Sequence, residues 1–291
     1  MQAKDIKRTD WDNTASEYSS FPLEGPLLVP CRRMLEVMQA TLSFSSATTI
    51  MDVGCGPGTA VSLLIDHYGG DIPPEAQLIA TDYSSGMVEA IKSRKETEIS
   101  SGKDTASYWS RVETLVLDAQ DLSGLSSDSV SHIMGSLVYF MLPDPKRGLR
   151  EAHRVLKAGG VFACTSWAKV EWMQFLGQAV QEVRSAGGLN SKPIEIPMLP
   201  TEWKDKVGVK GELEDVGFCD VNTEYVEFNW AVEDPGRFAK MMAKGSNPGT
   251  KMLLGDLSSE ERDRVCQIYA KIIGQHGNVC KGVAVLGIGR K

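Results

Sequence analysis

Short apolar runs alternate with stretches of helical periodicity through the first 170 residues of the chain. The apolar runs cover residues 49–53, 78–82, 112–118, 130–138 and 161–167. Each run is continuously apolar rather than alternating, which is typical of strands in a parallel sheet that helices cover on both faces. Because crossover connections are right-handed, this order predicts a doubly wound α/β sheet.

The second half of the chain departs from this regular alternation. Residues 221–230 alternate like a strand, residues 234–274 have helical spacing, and residues 283–288 form a last apolar run. Two strands separated by a helical insert predict an antiparallel pair at one edge, which makes a seven-stranded, mostly parallel sheet with a lid. The polar stretch 95–107 predicts an exposed loop, and Ser258 with Glu261 predicts a capping box inside the insert.

Composition and charge narrow the class of protein. The chain has 291 residues, of which 42% are hydrophobic, and this composition predicts a globular protein. Its formal net charge of −7 disfavours binding to nucleic acid or to an anionic membrane. No apolar run approaches the roughly 20 residues that span a bilayer, and the first residues lack the apolar stretch of a secretory signal. The six scattered cysteines predict reduced thiols, a cytoplasmic location and no metal site.

A glycine-rich loop follows the first predicted strand. Gly54, Gly56 and Gly58 lie where ligands bind in doubly wound sheets, beyond the carboxyl end of a strand. A dinucleotide fingerprint would need glycine at position 59, which is Thr59, and no Lys-Ser/Thr pair follows as in a Walker loop. A generic tight turn and a nicotinamide site remain alternatives at this point. Asp52, two residues before the first glycine, adds an acidic group.

Residues 51–59 closely resemble motif I of class I S-adenosylmethionine-dependent methyltransferases. Residues 80–87, 117–122, 136–145 and 149–160 resemble the following motifs in the same order and at similar spacing. The resemblance implies a Rossmann-like fold, S-adenosylmethionine as the cofactor and S-adenosylhomocysteine as the product. It divides the chain into an N-terminal helical cap (1–45), a cofactor-binding core (46–168), and lid segments with the final antiparallel strand pair (169–291).

The same resemblance implies which residues bind the cofactor. Asp52 would contact the ammonium group of the cofactor, Asp82 its ribose hydroxyls and Asp118 its adenine amino group. Tyr83 and Met87 would lie on the two faces of the adenine ring. The implied set is Tyr18, Asp52, Gly54, Cys55, Gly56, Asp82, Tyr83, Met87, Asp118, Ala119 and Ser136. Packing is the alternative role for several of these, Tyr18 and Tyr83 among them.

The identity of the methyl acceptor is less constrained by the sequence. The later segments resemble fungal natural-product methyltransferases, among them the gliotoxin bis-thiomethyltransferase, which implies a small-molecule acceptor methylated by in-line displacement. We expect oxygen as the acceptor atom. A thiol acceptor and a cofactor-binding homologue that transfers no methyl group are the alternatives. The signatures of adenine and cytosine methylation are missing after the fourth strand. Nothing in the sequence distinguishes a monomer from a homodimer.

Aromatic residues after the fourth and fifth strands are candidates for the substrate pocket. The candidates are Tyr139, Phe140, Trp167, Trp172 and Trp203, since aromatic rings suit an apolar pocket, although core packing explains each of them equally well. No general base is evident. His276 in the predicted lid is the one histidine kept as a candidate.

Overall fold

A seven-stranded sheet runs through the part of the chain that the computed structural model describes, residues 7–18, 25–186 and 200–291, with the side chains of residues 16–18 left out. The strands are β1 (Thr49–Val53), β2 (Gln77–Asp82), β3 (Val112–Val116), β4 (Val130–Ser136), β5 (Leu156–Val170), β6 (Cys219–Ala231) and β7 (Val279–Arg290). Their spatial order is β3-β2-β1-β4-β5-β7-β6.

Strand direction confirms the predicted sheet. Strands β1 to β5 run parallel to one another, whereas β7 runs antiparallel to both β5 and β6. The antiparallel pairing therefore lies at one edge, with β7 inside and β6 outside. Strand order reverses between β1 and β4, and this switch point is where doubly wound sheets bind ligands.

Eleven α-helices accompany the strands in the described residues. They are α1 (Arg8–Tyr18), α2 (Leu28–Thr41), α3 (Thr59–Tyr68), α4 (Ser85–Ser100), α5 (Ala106–Ser110), α6 (Pro145–Val155), α7 (Glu171–Ala186), α8 (Lys206–Glu214), α9 (Pro235–Lys244), α10 (Pro248–Leu254) and α11 (Ser259–Gln275). None of the helices in these ranges combines the length and the apolar character that crossing a membrane requires.

Side-chain caps fix where several helices begin. The Ser84 hydroxyl accepts a hydrogen bond from the Met87 N–H at the start of α4. At the start of α11, Ser258 and Glu261 form the predicted capping box in both directions. Each cap satisfies backbone donors that have no partner within the helix.

The predicted loop at 95–107 is wrong at both ends, and only residues 101–105 form a largely exposed turn. Helix α4 continues to Ser100, and α5 follows before β3 begins. The polar residues of this stretch lie on exposed positions of a helix, so their polarity reports exposure rather than the lack of a helix. Trp109, which is 1% exposed, anchors α5 in the core, and the Lys95 ammonium donates to the Val112 carbonyl at 2.7 Å.

An aromatic cluster joins the insert between β6 and β7 to the sheet. Trp167 near the end of β5 and Trp172 at the start of α7 contact each other edge to face, and Trp172 contacts Trp230 of β6 in the same way. Trp230 then packs on Phe238 of α9, and Phe238 on Tyr269 of α11. The buried Tyr269 hydroxyl donates to the Trp172 carbonyl at 2.8 Å. The predicted single helical segment is thus three helices held by a shared core.

Candidate functional site

A cavity of about 210 Å³ lies at the switch point, beyond the carboxyl ends of β1, β2 and β4. Ten of the eleven predicted cofactor residues line it: Asp52, Gly54, Cys55, Gly56, Asp82, Tyr83, Met87, Asp118, Ala119 and Ser136. These residues come from four separate segments of the sequence. The parallel sheet brings them together because the carboxyl ends of its strands meet at one edge.

The glycine loop lets backbone form one wall of the cavity. Gly54 and Gly56 have φ angles of 65° and 52°, a region that residues with a Cβ adopt only under strain. A Cβ at Gly54 would also collide with the side chain of Val138 from the turn after β4. The loop therefore presents backbone rather than side chains to a ligand.

Asp82 ends β2 and is held in place by two backbone donors. Its Oδ2 atom accepts from the Gly56 N–H at 2.9 Å, and its Oδ1 atom accepts from the Ser84 N–H at 2.8 Å. Burial raises the pKa of Asp82 to about 6, although these two hydrogen bonds oppose the rise. Each oxygen keeps a further lone pair, so the carboxylate can still accept hydrogen bonds from a ligand in the cavity.

Asp52 presents an unsatisfied acceptor at the same wall. The residue is 1% exposed, and its Oδ2 atom has no hydrogen-bond partner within the described residues. Burial and the neighbouring Asp82 carboxylate hold the pKa of Asp52 well above its ordinary value. A buried acceptor without a partner is costly, and a cationic or hydrogen-bond-donating ligand group would satisfy it. These carboxylate acceptors therefore fit a ligand that carries both hydroxyl and ammonium groups as donors.

Asp118 follows β3 and is oriented by Gln120, a cavity residue that sequence reasoning missed. The Gln120 backbone N–H donates to Asp118 Oδ1 at 2.8 Å, and its side-chain carbonyl accepts from the Asp144 N–H at 2.8 Å. Gln120 was inside the third matched segment, but its side chain carries no signal that distinguishes a ligand contact from a structural hydrogen bond.

Helix α1 closes part of the cavity. Asp12 Oδ1 accepts from the Ser84 hydroxyl at 2.7 Å and from the Gly86 N–H at 3.0 Å, which docks α1 on the start of α4. The adjacent Trp11 lines the cavity. The predicted contact of Tyr18 falls on a side chain outside the described residues. Trp11 is a second missed residue, because nothing in a short helical segment shows which ring faces a distant loop.

The apolar part of the wall comes from residues that carried no role in the sequence. Met141, Leu142 and Pro143 follow β4, and Leu27 precedes α2. Three of these are inside the fourth matched segment, so their proximity to the site could have been inferred. The position of Leu27 could not be inferred, because it follows a break in the helical pattern and reaches the cavity only through tertiary packing.

The structure brings none of the five predicted substrate-pocket rings to the cavity. Tyr139 and Phe140 are 0% and 2% exposed, and Tyr139 packs edge to face on Phe162 of β5. Trp167 and Trp172 belong to the aromatic cluster, and the Trp203 carbonyl accepts from the buried Ser166 hydroxyl. Core packing accounts for the burial of all five rings, and an acceptor-binding role stays a prediction.

His276 lies away from the cavity as well. It is exposed at the end of α11, where its Nδ1 atom is 2.8 Å from the Ile272 carbonyl and its ring contacts Phe175. The signal that selected it was its place in the insert, and the insert does not line the cavity in the described ranges. No histidine or lysine is among the described lining residues, and no cluster of metal-ligating side chains occurs in that part of the chain.

Comparison with known proteins identifies the family. The methyltransferase domain model matches residues 51–164. Methyltransferase ucsB of an Acremonium species is 31% identical over 220 residues, which cover 76% of this chain and 72% of the relative. Methyltransferase tpcH of Aspergillus fumigatus is 27% identical over 253 residues, 83% of this chain and 84% of the relative.

Solved structures agree on the fold. The crystal structure of a Bacillus halodurans protein described as a candidate methyltransferase has a TM-score of 0.51 at 15% identity, covering 89% of this chain and 98% of that one. With the ordered motifs and the cavity at the switch point, these relatives define the class: the chain belongs to the class I S-adenosylmethionine-dependent methyltransferases.

Proposed function

We propose that this enzyme methylates an oxygen atom of a small, partly apolar acceptor of the secondary-metabolite kind. The observation that carries the proposal is that one cavity is lined both by three carboxylates, those of Asp52, Asp82 and Asp118, and by a set of apolar side chains. The two fungal relatives are both described as methyltransferases, which supports the reaction type. S-adenosylmethionine supplies an electrophilic methyl group when it is bound.

The three carboxylates suit the cofactor. Asp82 would accept from ribose hydroxyls with its remaining lone pairs, Asp118 from the adenine amino group, and Asp52 would pair with the ammonium group. Tyr83 and Met87 line the cavity beside Asp82, where they would contact adenine. The negative charges would also favour a sulfonium cation over its neutral product.

The apolar side chains suit the acceptor. Leu27, Leu137 and Met141 contribute side chains without polar groups, and Trp11 adds a ring with one donor. Such a wall favours a flat or partly apolar molecule over a sugar or a peptide. It also excludes water from the transfer, which leaves alignment as the main task of the enzyme.

The cavity lining in the described residues supports an acceptor group that needs no strong base. The described lining residues include no histidine or lysine, and their three carboxylates, those of Asp52, Asp82 and Asp118, are the ones proposed to hold the cofactor. An acceptor that loses its proton easily, such as a phenol or an enol, needs little help from the protein. A thiol shares this property, so S-methylation is the second candidate.

Incubation with methyl-labelled cofactor and a fungal metabolite extract tests the reaction. We expect labelled small molecules from the wild type, strongly reduced labelling with Asp82→Asn, and wild-type labelling with the exposed control Asp66→Asn. Tight cofactor binding without any labelled product would overturn methyl transfer. Pre-treating the extract with a maleimide separates the acceptor atoms, since labelling of oxygen survives it and labelling of thiols does not.

We also propose that the enzyme works in the cytoplasm on a small molecule and does not bind nucleic acid. The formal charge of −7 supports the second statement, because a nucleic-acid partner requires a cationic surface. The six unpaired cysteines support the first, because reduced thiols are typical of the cytoplasm. Fluorescence imaging of a tagged chain and a gel-shift assay with duplex DNA test them. A secretory distribution or a shifted band at physiological salt would count against them.

A further inference from the structure

The turn after β4 contains an unusual backbone conformation at Leu137. Four non-glycine residues in the described ranges have a positive φ angle: Asp128, Leu137, Asp220 and Asn278. Aspartate and asparagine adopt this left-handed region comparatively easily, because their short polar side chains bond to nearby backbone. Leucine has no such compensation, so Leu137, at φ 61°, is strained and must be held by its surroundings.

Thr165 of β5 supplies one of the contacts that hold it. The buried Thr165 hydroxyl oxygen accepts a hydrogen bond from the Leu137 N–H at 3.0 Å. Thr165 is directly opposite Ser136 in the β4–β5 register, and the two hydroxyl oxygens are 3.4 Å apart. Thr165 is 0% exposed and is not among the cavity-lining residues, so it reaches a ligand only through this turn.

The glycine loop holds the other side of the turn. The Val138 side chain packs on Gly54 so closely that a Cβ there would collide with it. Ser136, Leu137 and Val138 all line the cavity at the switch point between β1 and β4. The strained residue is therefore fixed between β5 and the loop that would hold the cofactor.

We propose that Thr165 is a positioning residue of the cofactor site. Its hydroxyl keeps Leu137 left-handed, and this fixes the cavity wall that Leu137 and Val138 form against the glycine loop. Without the hydroxyl, the Leu137 N–H would lose its buried acceptor, and the turn would relax toward an ordinary backbone conformation. The inference rests on the proposed function in one respect, that the ligand of this cavity is S-adenosylmethionine or its product.

Four variants test the inference with S-adenosylhomocysteine as the probe. Thr165→Val removes the hydroxyl at nearly constant volume, and Thr165→Ser keeps it. Leu137→Gly and the double variant Leu137→Gly/Thr165→Val test the route, because glycine adopts a positive φ without assistance. Affinity is measured by calorimetry, and the stability of each variant without ligand by urea unfolding.

We expect Thr165→Val to weaken binding about tenfold, which corresponds to about 1.4 kcal/mol, and Thr165→Ser to bind like the wild type. In the Leu137→Gly background, adding Thr165→Val should change the affinity by less than about threefold, since the hydroxyl then has no strained residue to hold. A stability loss alone would not produce this dependence on the residue at position 137.

Three results would overturn the inference. One is unchanged affinity in Thr165→Val, and another is the same loss in both backgrounds. If the Thr165→Val variant does not fold, the double variant decides. A double variant that folds but binds S-adenosylhomocysteine more weakly than Leu137→Gly would also overturn the inference. A wild type that fails to bind S-adenosylhomocysteine would instead overturn the proposed function, and the inference with it.

Discussion

At the scale of single residues, two carboxylates lie at the carboxyl ends of β1 and β2: that of Asp52, which is buried, and that of Asp82, which is half-buried. Asp52 and Asp82 were predicted from the sequence because acidic residues at strand ends beside a glycine loop form a recognisable pattern. Their burial without cationic partners, which raises the pKa of both, was not predictable from spacing. The burial of these two carboxylates depends on helix α1 and on the turn after β4, which come from distant parts of the chain.

The raised pKa of Asp82 predicts opposite pH dependences for stability and binding. Its folded pKa of about 6 exceeds the ordinary 3.8, so between these values the folded state binds more protons than the unfolded state. The contribution of Asp82 to the free energy of unfolding therefore falls as pH rises through this window. Affinity for S-adenosylhomocysteine should rise over the same range if, as proposed, the ionised carboxylate accepts from the ribose hydroxyls.

Calorimetry and urea unfolding between pH 4.5 and 7.5 check this, with Asp82→Asn as the reference that cannot titrate. The difference between wild type and variant isolates Asp82 from other groups. Wild-type affinity that stays flat across pH 6 would mean that the carboxylate does not contact the ligand.

At the scale of elements, the strands and the capping box were predictable, whereas α5 and the docking of α1 were not. A continuous apolar run and the Ser258–Glu261 pair each involve residues that are close together in the sequence, so they can be recognised without the fold. Helix α5 depends on the burial of Trp109. Helix α1 depends on hydrogen bonds from Asp12 to the start of α4, far along the chain.

Removing the docking contact should release α1 from the cavity. Asp12→Ala leaves the Ser84 hydroxyl and the Gly86 N–H without their shared acceptor, and we expect a loss of about 1–3 kcal/mol in S-adenosylhomocysteine affinity. Limited proteolysis should cut near α1 faster in this variant. Asp10→Ala is the matched control, since the Asp10 carboxylate accepts from the Lys7 N–H at its own helix end. Equal effects of both variants would contradict the docking role.

The Tyr269 hydroxyl, which links α11 to α7, should contribute to the stability of the fold but not to ligand affinity. Tyr269→Phe removes the donor to the Trp172 carbonyl, and we expect the free energy of unfolding to fall by about 1 kcal/mol. Affinity for S-adenosylhomocysteine should not change, because neither residue lines the cavity. Tyr225→Phe on the exposed face of β6 is the control. A weaker affinity in Tyr269→Phe would show that the insert shapes the cofactor site.

At the scale of the whole molecule, the carboxylates that line the cavity were predictable, and most of its apolar lining was not. Asp82 and Asp118 follow strands within ordered motifs, so the topology alone brings them to one edge of the sheet. Leu27 and Met141 have apolar side chains that resemble any core residue in the sequence. The predicted aromatic pocket rings were found in the core, where large apolar side chains most often lie.

Ligand binding should stabilise the whole fold, because the cavity joins segments from the N-terminal helix to β4. S-adenosylhomocysteine at 100 times its dissociation constant should raise the free energy of unfolding by about 2.7 kcal/mol. Thermal unfolding monitored by calorimetry measures this shift, and NAD at the same concentration is the control. Stabilisation by NAD instead would contradict the assignment of the class.

Strand β7 makes the place of β6 in the sheet depend on a strand that comes later in the chain. Every ladder contact of β6 is made to β7, and β7 in turn pairs with β5, which lies far back along the chain. Loop closure over such a separation is slow. The five parallel strands can therefore form first, with β6 left outside until β7 enters between it and β5. During that interval the edge of β5 is open, and the same unpaired edge is where a nascent chain is most exposed to aggregation.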